Sequence, residues 1–199
     1  MIVLLHHNFD ISFTFRKLHF TQIFKFQNFL EIAIIGGYNG RQLDNIEVIS
    51  IVKDSISHIK PDIPSLPKSF LGFGGTRLPN GDLLLSEGFV DSYVDSDKYL
   101  QYKAGSEMWT KAGTMSRARY RHSSVFMDGY LLTTGGLDTT FNALTLHEQF
   151  SLNEGVKKRN NMPIGLCNHT ATVLRQHKML VCGGSDNGSV SNIHFELYQ

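Results

Sequence analysis

Leu131-Leu132-Thr133-Thr134-Gly135-Gly136 is a short apolar run of β-forming residues that ends on two glycines. The same design occurs earlier as Ile32-Ala33-Ile34-Ile35-Gly36-Gly37 and later as Met179-Leu180-Val181-Cys182-Gly183-Gly184. A degraded copy, Leu83-Leu84-Leu85-Ser86-Glu87-Gly88, fills the interval. The first residues of the pairs stand at 36, 87, 135 and 183, so the spacings are 51, 48 and 48. A fixed period of about 50 residues marks a repeat architecture. Fifteen residues after each of these positions stands a large apolar or aromatic residue: Ile51, Tyr102, Phe150 and Tyr198. Glycine pairs alone are ordinary turn residues, but four copies in phase with a distant bulky position define a repeat.

The chain has 199 residues, room for one large all-β domain or two small ones. Hydrophobic residues make up 41%, enough for a folded core, and charged residues only 19%. Fourteen phenylalanines, seven tyrosines and eighteen glycines suit strands joined by tight turns. A net charge of +1 supplies no global field that would draw nucleic acid or an anionic membrane, so neither is expected as a partner. No apolar run approaches the roughly 20 residues a membrane helix needs. Met1-Ile2-Val3-Leu4-Leu5 is too short for a signal-peptide core and is broken by His6-His7-Asn8. If Cys167 and Cys182 lie on one hairpin turning near Gln176-His177, residue 182 faces about residue 171. An offset of four residues is about 13 Å along a strand, beyond disulfide reach. Two free thiols are therefore expected, which fits a reducing, cytoplasmic location.

The best unit runs from Trp109 to Phe150. Trp109 to Met115 reads as an outer strand closing the preceding unit, and residues 115–121 as the loop crossing inward. His122 to Met127 reads as an innermost strand, Asp128-Gly129 as a two-residue hairpin, and Tyr130 to Thr134 as the returning strand. Leu144 to Ser151 reads as the third strand, carrying Phe150. This order of inner strand, Asp-Gly turn, apolar strand ending in Gly-Gly, then a Tyr-type residue, a Trp and a Met resembles the kelch repeat. The resemblance covers roughly residues 30–199 and is strongest from Lys98 to Gly136, where Tyr102, Trp109, Met115, Arg119, Asp128, Gly129, Gly135 and Gly136 fall in pattern. It implies an all-β, kelch-type β-propeller, incomplete, with about three to four blades of four-stranded antiparallel sheet. The repeats then run over approximately 30–66, 67–115, 116–162 and 163–199, with signature glycines Gly36, Gly37, Gly88, Gly135, Gly136, Gly183 and Gly184. Residues 1–29 are expected to be a degenerate N-terminal segment, although Phe20 to Phe26 alternates as a half-buried strand should.

The other copies depart from the pattern. Where the second carries Trp109, the first has His58 and the third Lys157; the second glycine pair is Glu87-Gly88, and its hairpin signal is Asn80-Gly81. In the fourth copy Gln176-His177-Lys178 replaces the short turn. Gln199 follows the fourth bulky residue at once, so the spacing predicts a last blade without its outer strand. Open blade edges of this kind favour self-association.

No residue set frames an enzyme site, and neither a cofactor nor a bound metal is expected. No Gly-x-Ser-x-Gly elbow presents a nucleophile. Cys167, His169 and His177 lack zinc-ligand spacing, and His122 and His169 recur seven residues after Met115 and Met162, as packing positions do. Ser185-Asp186-Asn187-Gly188-Ser189 reads as a turn. The loops after the glycine pairs, Tyr38 to Arg41, Leu137 to Thr140 and Ser185 to Asn187, differ from one another, as binding loops on a rigid scaffold do. The other candidate surface is the stretch Arg117-Ala118-Arg119-Tyr120-Arg121, with Asn168 as the counterpart of Arg121 in the next copy and Gly72 in the one before. By resemblance, Arg119 and Arg121 stand where kelch substrate adaptors grip acidic peptides, a task that suits the bidentate guanidinium, and Tyr120 would add an aromatic contact.

The resulting expectation is a non-enzymatic adaptor that holds a protein partner through its blade-connecting loops. By family analogy the partner is a ubiquitin-ligase substrate or a cytoskeletal protein. A propeller enzyme or carbohydrate-binding module, oxidase-like or sialidase-like, is the alternative, and a truncated non-functional fragment is a third.

Overall fold

A computed structural model describes residues 20–26, 29–38, 41–52, 55–59, 62–90, 94–174, 177–191 and 193–198. Residues 1–19, most of the N-terminal segment set apart above, lie outside the described residues, as does Gln176. All regular structure among the described residues is β. The alternating stretch forms β1 (Phe20–Phe26), which pairs antiparallel with β2 (Phe29–Tyr38), followed by β3 (Gln42–Val52) and β4 (Ser55–Ile59) in a four-stranded sheet of order β1-β2-β3-β4. The first sheet thus begins ahead of residue 30.

The second unit interleaves two sheets. Its strands are β5 (Phe70–Leu71), β6 (Gly74–Arg77), β7 (Leu83–Ser86), β8 (Phe89–Val90), β9 (Val94–Asp95), β10 (Lys98–Tyr102) and β11 (Trp109–Thr114). The main sheet has order β6-β7-β10-β11, and β5, β8 and β9 form a small sheet at one end. The third sheet is the meander β12 (Ser123–Met127), β13 (Tyr130–Thr134), β14 (His147–Ser151) and β15 (Gly155–Lys158). Asp128 and Gly129 make its two-residue turn with φ of +53° and +88°, the left-handed pair that such a hairpin requires. The fourth main sheet has three strands, β16 (Thr170–Val173), β17 (Lys178–Cys182) and β20 (His194–Tyr198), with the hairpin of β18 (Ser185–Asp186) and β19 (Ser189–Val190) between them in the chain.

Each sheet buries one face on the next, because alternate residues of a strand point to opposite sides. Ala33, Ile35, Ile46 and Val48 of the first sheet pack on Leu83, Leu85, Leu100 and Tyr102 of the second. Leu84 and Tyr99 pack on Leu131 and Phe150 of the third, where the Tyr99 and Phe150 rings stack at 4.2 Å. Met127 and Leu132 meet Met179 and Val181 of the fourth. The first strands of successive sheets, β1, β6, β12 and β16, lie side by side.

Cross-strand register refines the repeat. The residue facing the fourth position before each glycine pair is Ile49, Tyr102, Phe150 and Leu197, opposite Ile32, Leu83, Leu131 and Met179. Tyr102 and Phe150 stand where the spacing put them; in the first and last sheets Ile49 and Leu197 hold the position instead of Ile51 and Tyr198, because the intervening loops differ in length. On the fourth strand, His58, Trp109 and Val156 face Ile49, Tyr102 and Phe150, so Val156 rather than Lys157 is the third sheet's counterpart of Trp109. Trp109 Nε1 donates to Pro64 O at 2.9 Å and Tyr102 OH to Asp62 O at 3.0 Å, which pins the crossing from the first sheet to the second. Cys182 faces Thr170, Cys167 pairs with Ser185, and both thiols are free.

The two glycines of a pair have separate tasks. A Cβ on the second would meet the chain entering the same sheet: 2.2 Å from Leu71 O at Gly88, 2.8 Å from Tyr120 O at Gly136, and 2.6 Å from Cys167 O at Gly184. A Cβ on the first glycine of the third sheet would strike the next sheet, 2.4 Å from Leu166 O and 2.7 Å from His169 Cε1 at Gly135. Glu87 replaces a first glycine and keeps a negative φ, whereas the second glycine survives there as Gly88. At Gly183 nothing lies within 4 Å, although φ is +67°. Gly183→Ala therefore costs only the left-handed strain, about 1–2 kcal/mol. Gly135→Ala adds a clash with backbone and should cost about 4 kcal/mol or more. Urea denaturation of the two variants checks this, and equal losses would contradict the close approach of the third and fourth sheets.

Candidate functional site

Beyond the glycine pairs each hairpin re-pairs. Leu71 faces Phe89, Tyr120 faces Leu137 and Cys167 faces Ser185, so three sheets carry a short second ladder at the same end. Between that ladder and the first strand each sheet spends one residue in the left-handed conformation: Gly72, Arg121 and Asn168, with φ of +60°, +57° and +54°. Asn168 N donates to Arg121 O at 2.9 Å, and Arg121 N donates to Gly72 O. The three positions form a hydrogen-bonded arc across the ends of adjacent first strands. Glycine and asparagine adopt this conformation readily; arginine does so at a cost.

Of the five side chains singled out from sequence, three reach solvent. Asn168 is exposed, Arg121 half-buried, and Arg117 is exposed with its Nη2 2.6 Å from Asp138 Oδ2. Arg121 Cζ lies 5.5 Å from the centroid of the Tyr120 ring, and among the described residues no carboxylate pairs with it. Tyr120 is itself buried, its ring tilted against Phe89 at 5.5 Å. Arg119 is fully buried, so its side chain is withdrawn from any surface a partner could touch. Its Nη2 lies 2.5 Å from Glu148 Oε1, also wholly buried, and its Nη1 donates to Leu146 O at 3.3 Å.

That ion pair belongs to a polar seam between the second and third sheets. Glu148 Oε2 accepts from the Ser116 hydroxyl, and Glu148 Oε1 accepts from Tyr99 OH at 3.2 Å. Tyr99 OH reaches Thr133, Thr133 bonds Ser124, Ser124 bonds Ser86, and Ser86 Oγ lies 2.7 Å from His122 Nε2. The next sheet repeats the last contact, with His169 Nε2 3.1 Å from Thr134 Oγ1. The two histidines clasp each sheet to its predecessor, the packing role their recurrence predicts. His169, Cys167 and His177 do not converge: His177 Nδ1 bonds Asp128 Oδ2 at 2.5 Å, and among the described residues no three such side chains gather as a metal site requires.

Burial, with the nearby Arg119 charge, pushes His122 down to about 3, and burial pushes His169 and His147 down to about 4. The unfolded imidazoles titrate near the ordinary value of about 6.5. Below that pH the unfolded chain binds more protons than the folded one, so stability is full above about pH 6.5 and falls as pH drops toward 4. Each histidine should cost on the order of 1–2 kcal/mol at pH 5. The urea midpoint should fall between pH 7 and pH 5, and less steeply in His122→Gln/His169→Gln; a flat wild-type profile would contradict neutral burial. Arg119→Ala strands the Glu148 carboxylate and should cost about 3–5 kcal/mol, whereas replacing both partners with apolar residues should recover most of it. Thermal melts of the single and double variants measure the difference.

Sequence reasoning passed over the scaffold of the loop after the third glycine pair. The Asp138 carboxylate, almost wholly buried, accepts from Thr140 N at 2.9 Å, Thr140 Oγ1 at 2.6 Å and Asn142 N at 3.1 Å. Burial raises its pKa, but the Thr140 hydroxyl and the Asn142 and Thr140 amides outweigh this, with help from Arg117, and hold it below the usual range. An Asp two residues before a Thr is a readable Asx-turn signal. What the loop does at its tip, at Phe141, is not readable. No protein-family model and no curated protein matches this chain.

Proposed function

We propose that the chain is a partial kelch-type β-propeller array that acts, without catalysis, as a protein-interaction scaffold. The carrying observation is Arg121. Its backbone occupies a left-handed position that its counterparts fill with glycine and asparagine, and no carboxylate of the described residues neutralises its guanidinium. Strain of this kind persists where surrounding structure over-determines it and is often tied to function. A guanidinium stacked near an aromatic ring at the rim of a rigid scaffold is suited to a carboxylate of an extended acidic segment. Arg117, Arg121 and Asn168 are the residues offered to the partner; Arg119 and Tyr120 support them from below. Face-to-face meanders with neighbouring first strands and end-clustered loops support the propeller reading.

The test is a fluorescence-polarisation titration against an array of acidic peptides, each carrying two or three Asp or Glu residues beside an apolar one. Arg121→Asn, which installs the residue of the next copy, should leave the melting temperature unchanged or raised and weaken the best peptide about tenfold or more. Absence of any bound peptide, or equal affinity in the variant, would remove the proposal.

A further inference from the structure

Phe141 has φ of +62° and is 67% exposed, among the most exposed large apolar side chains of the described residues. A bulky aromatic residue in the left-handed region is a conformational outlier. The ring joins no hydrophobic cluster, and no ring-to-ring contact involves it among the described residues. Folding therefore gains little from it, and the fold spends structure on holding it in place.

That structure is extensive. Phe141 N donates to Asp138 O at 2.9 Å, and Asp138 N to Asn142 O at 3.2 Å. The Asp138 carboxylate gathers the three donors named above from residues 140 and 142. On the far side Ala143 N donates to Asn187 Oδ1 at 3.0 Å, which ties the loop to the β18–β19 hairpin. The ring thus stands on a loop braced at both ends, so little conformational entropy is lost when a partner covers it. Rigid aromatic anchors of this kind dominate interface energetics.

We propose that Phe141 is an anchor that inserts into an apolar pocket, rimmed by carboxylates, on a partner protein. The acidic rim follows from charge complementarity. Arg117, its side chain 56% exposed, bonds the same Asp138 carboxylate that holds the loop, so a pocket closing over the ring meets a guanidinium at its edge. This rests on reading the loop end as a partner surface, but it assigns the binding energy to the ring rather than to Arg121.

The test uses the full chain as bait for a phage-displayed library of a small folded domain with randomised loops. The dominant binders should lose about tenfold or more on Phe141→Gly and carry apolar residues flanked by Asp or Glu. Phe141→Gly should melt at or above the wild-type temperature, because glycine accepts the left-handed backbone. A lower melting temperature would make the ring a structural residue and overturn the inference. Binders that keep their affinity on Phe141→Gly but lose it on Arg121→Asn would overturn it while leaving the scaffold role standing; binders indifferent to both would remove both. Sedimentation at high concentration supplies the last arm. Self-association abolished by Phe141→Gly would make a second copy the occupant and overturn a foreign partner.

Discussion

Where the second strand of the second, third and fourth sheets ends, backbone meets backbone at distances that exclude a side chain, and the rest of the architecture depends on that contact. Gly136 lies under the chain entering its own sheet, while Gly135 lies against the chain entering the next one. One position closes a sheet upon itself and the other sets the gap between sheets. The gap in turn decides that His169 can reach Thr134. A larger residue at either glycine would force the layers apart and forfeit dispersion contacts along the whole seam.

This division explains which features the sequence carries openly. Close backbone approach leaves one chemical solution, so the glycine pairs repeat and announce the period. The Asp128-Gly129 turn is equally constrained by its two positive φ angles. Burial against a neighbouring sheet leaves many solutions. The position that is Tyr102 in the second sheet is Ile49 in the first and Leu197 in the last, and variable loops shift it by one or two residues from a fixed count. Phase is therefore legible at the turns and blurred at the packing surfaces. The alignment of Gly72, Arg121 and Asn168 held because all three sit a short fixed distance before a first strand and share one backbone conformation.

The stretch of residues 117–121 was legible only in part, for a different reason. A stretch with three arginines reads as basic and exposed, and nothing in the one-dimensional pattern tells which guanidinium turns inward. Arg119 turns inward because Glu148, twenty-nine residues later, stands on the strand behind it. Glu148 in turn occupies a position that is Leu100 in the second sheet and Phe195 in the fourth, but Glu47 in the first. The third sheet thus holds a buried ion pair, with its own hydrogen-bonded seam, where the second and fourth sheets hold an apolar residue. Such pairs add little net stability, but they penalise every register that separates the partners.

Strain completes the contrast between the two kinds of residue at this end of the molecule. Asn168 and Asn187 take positive φ as short polar side chains commonly do, and each sits in a turn or arc that needs it. Arg121 and Phe141 take the same conformation without that excuse. Glycine or asparagine at either place would ease the backbone, and the exposed Phe141 ring repays little of the cost through packing. Arg121 is tied by backbone bonds to Gly72 and Asn168, and the Phe141 loop by Ala143 N to the Asn187 side chain, one presenting a cation and the other an apolar ring. The strain at these two positions is the physical ground on which both are proposed to meet a partner.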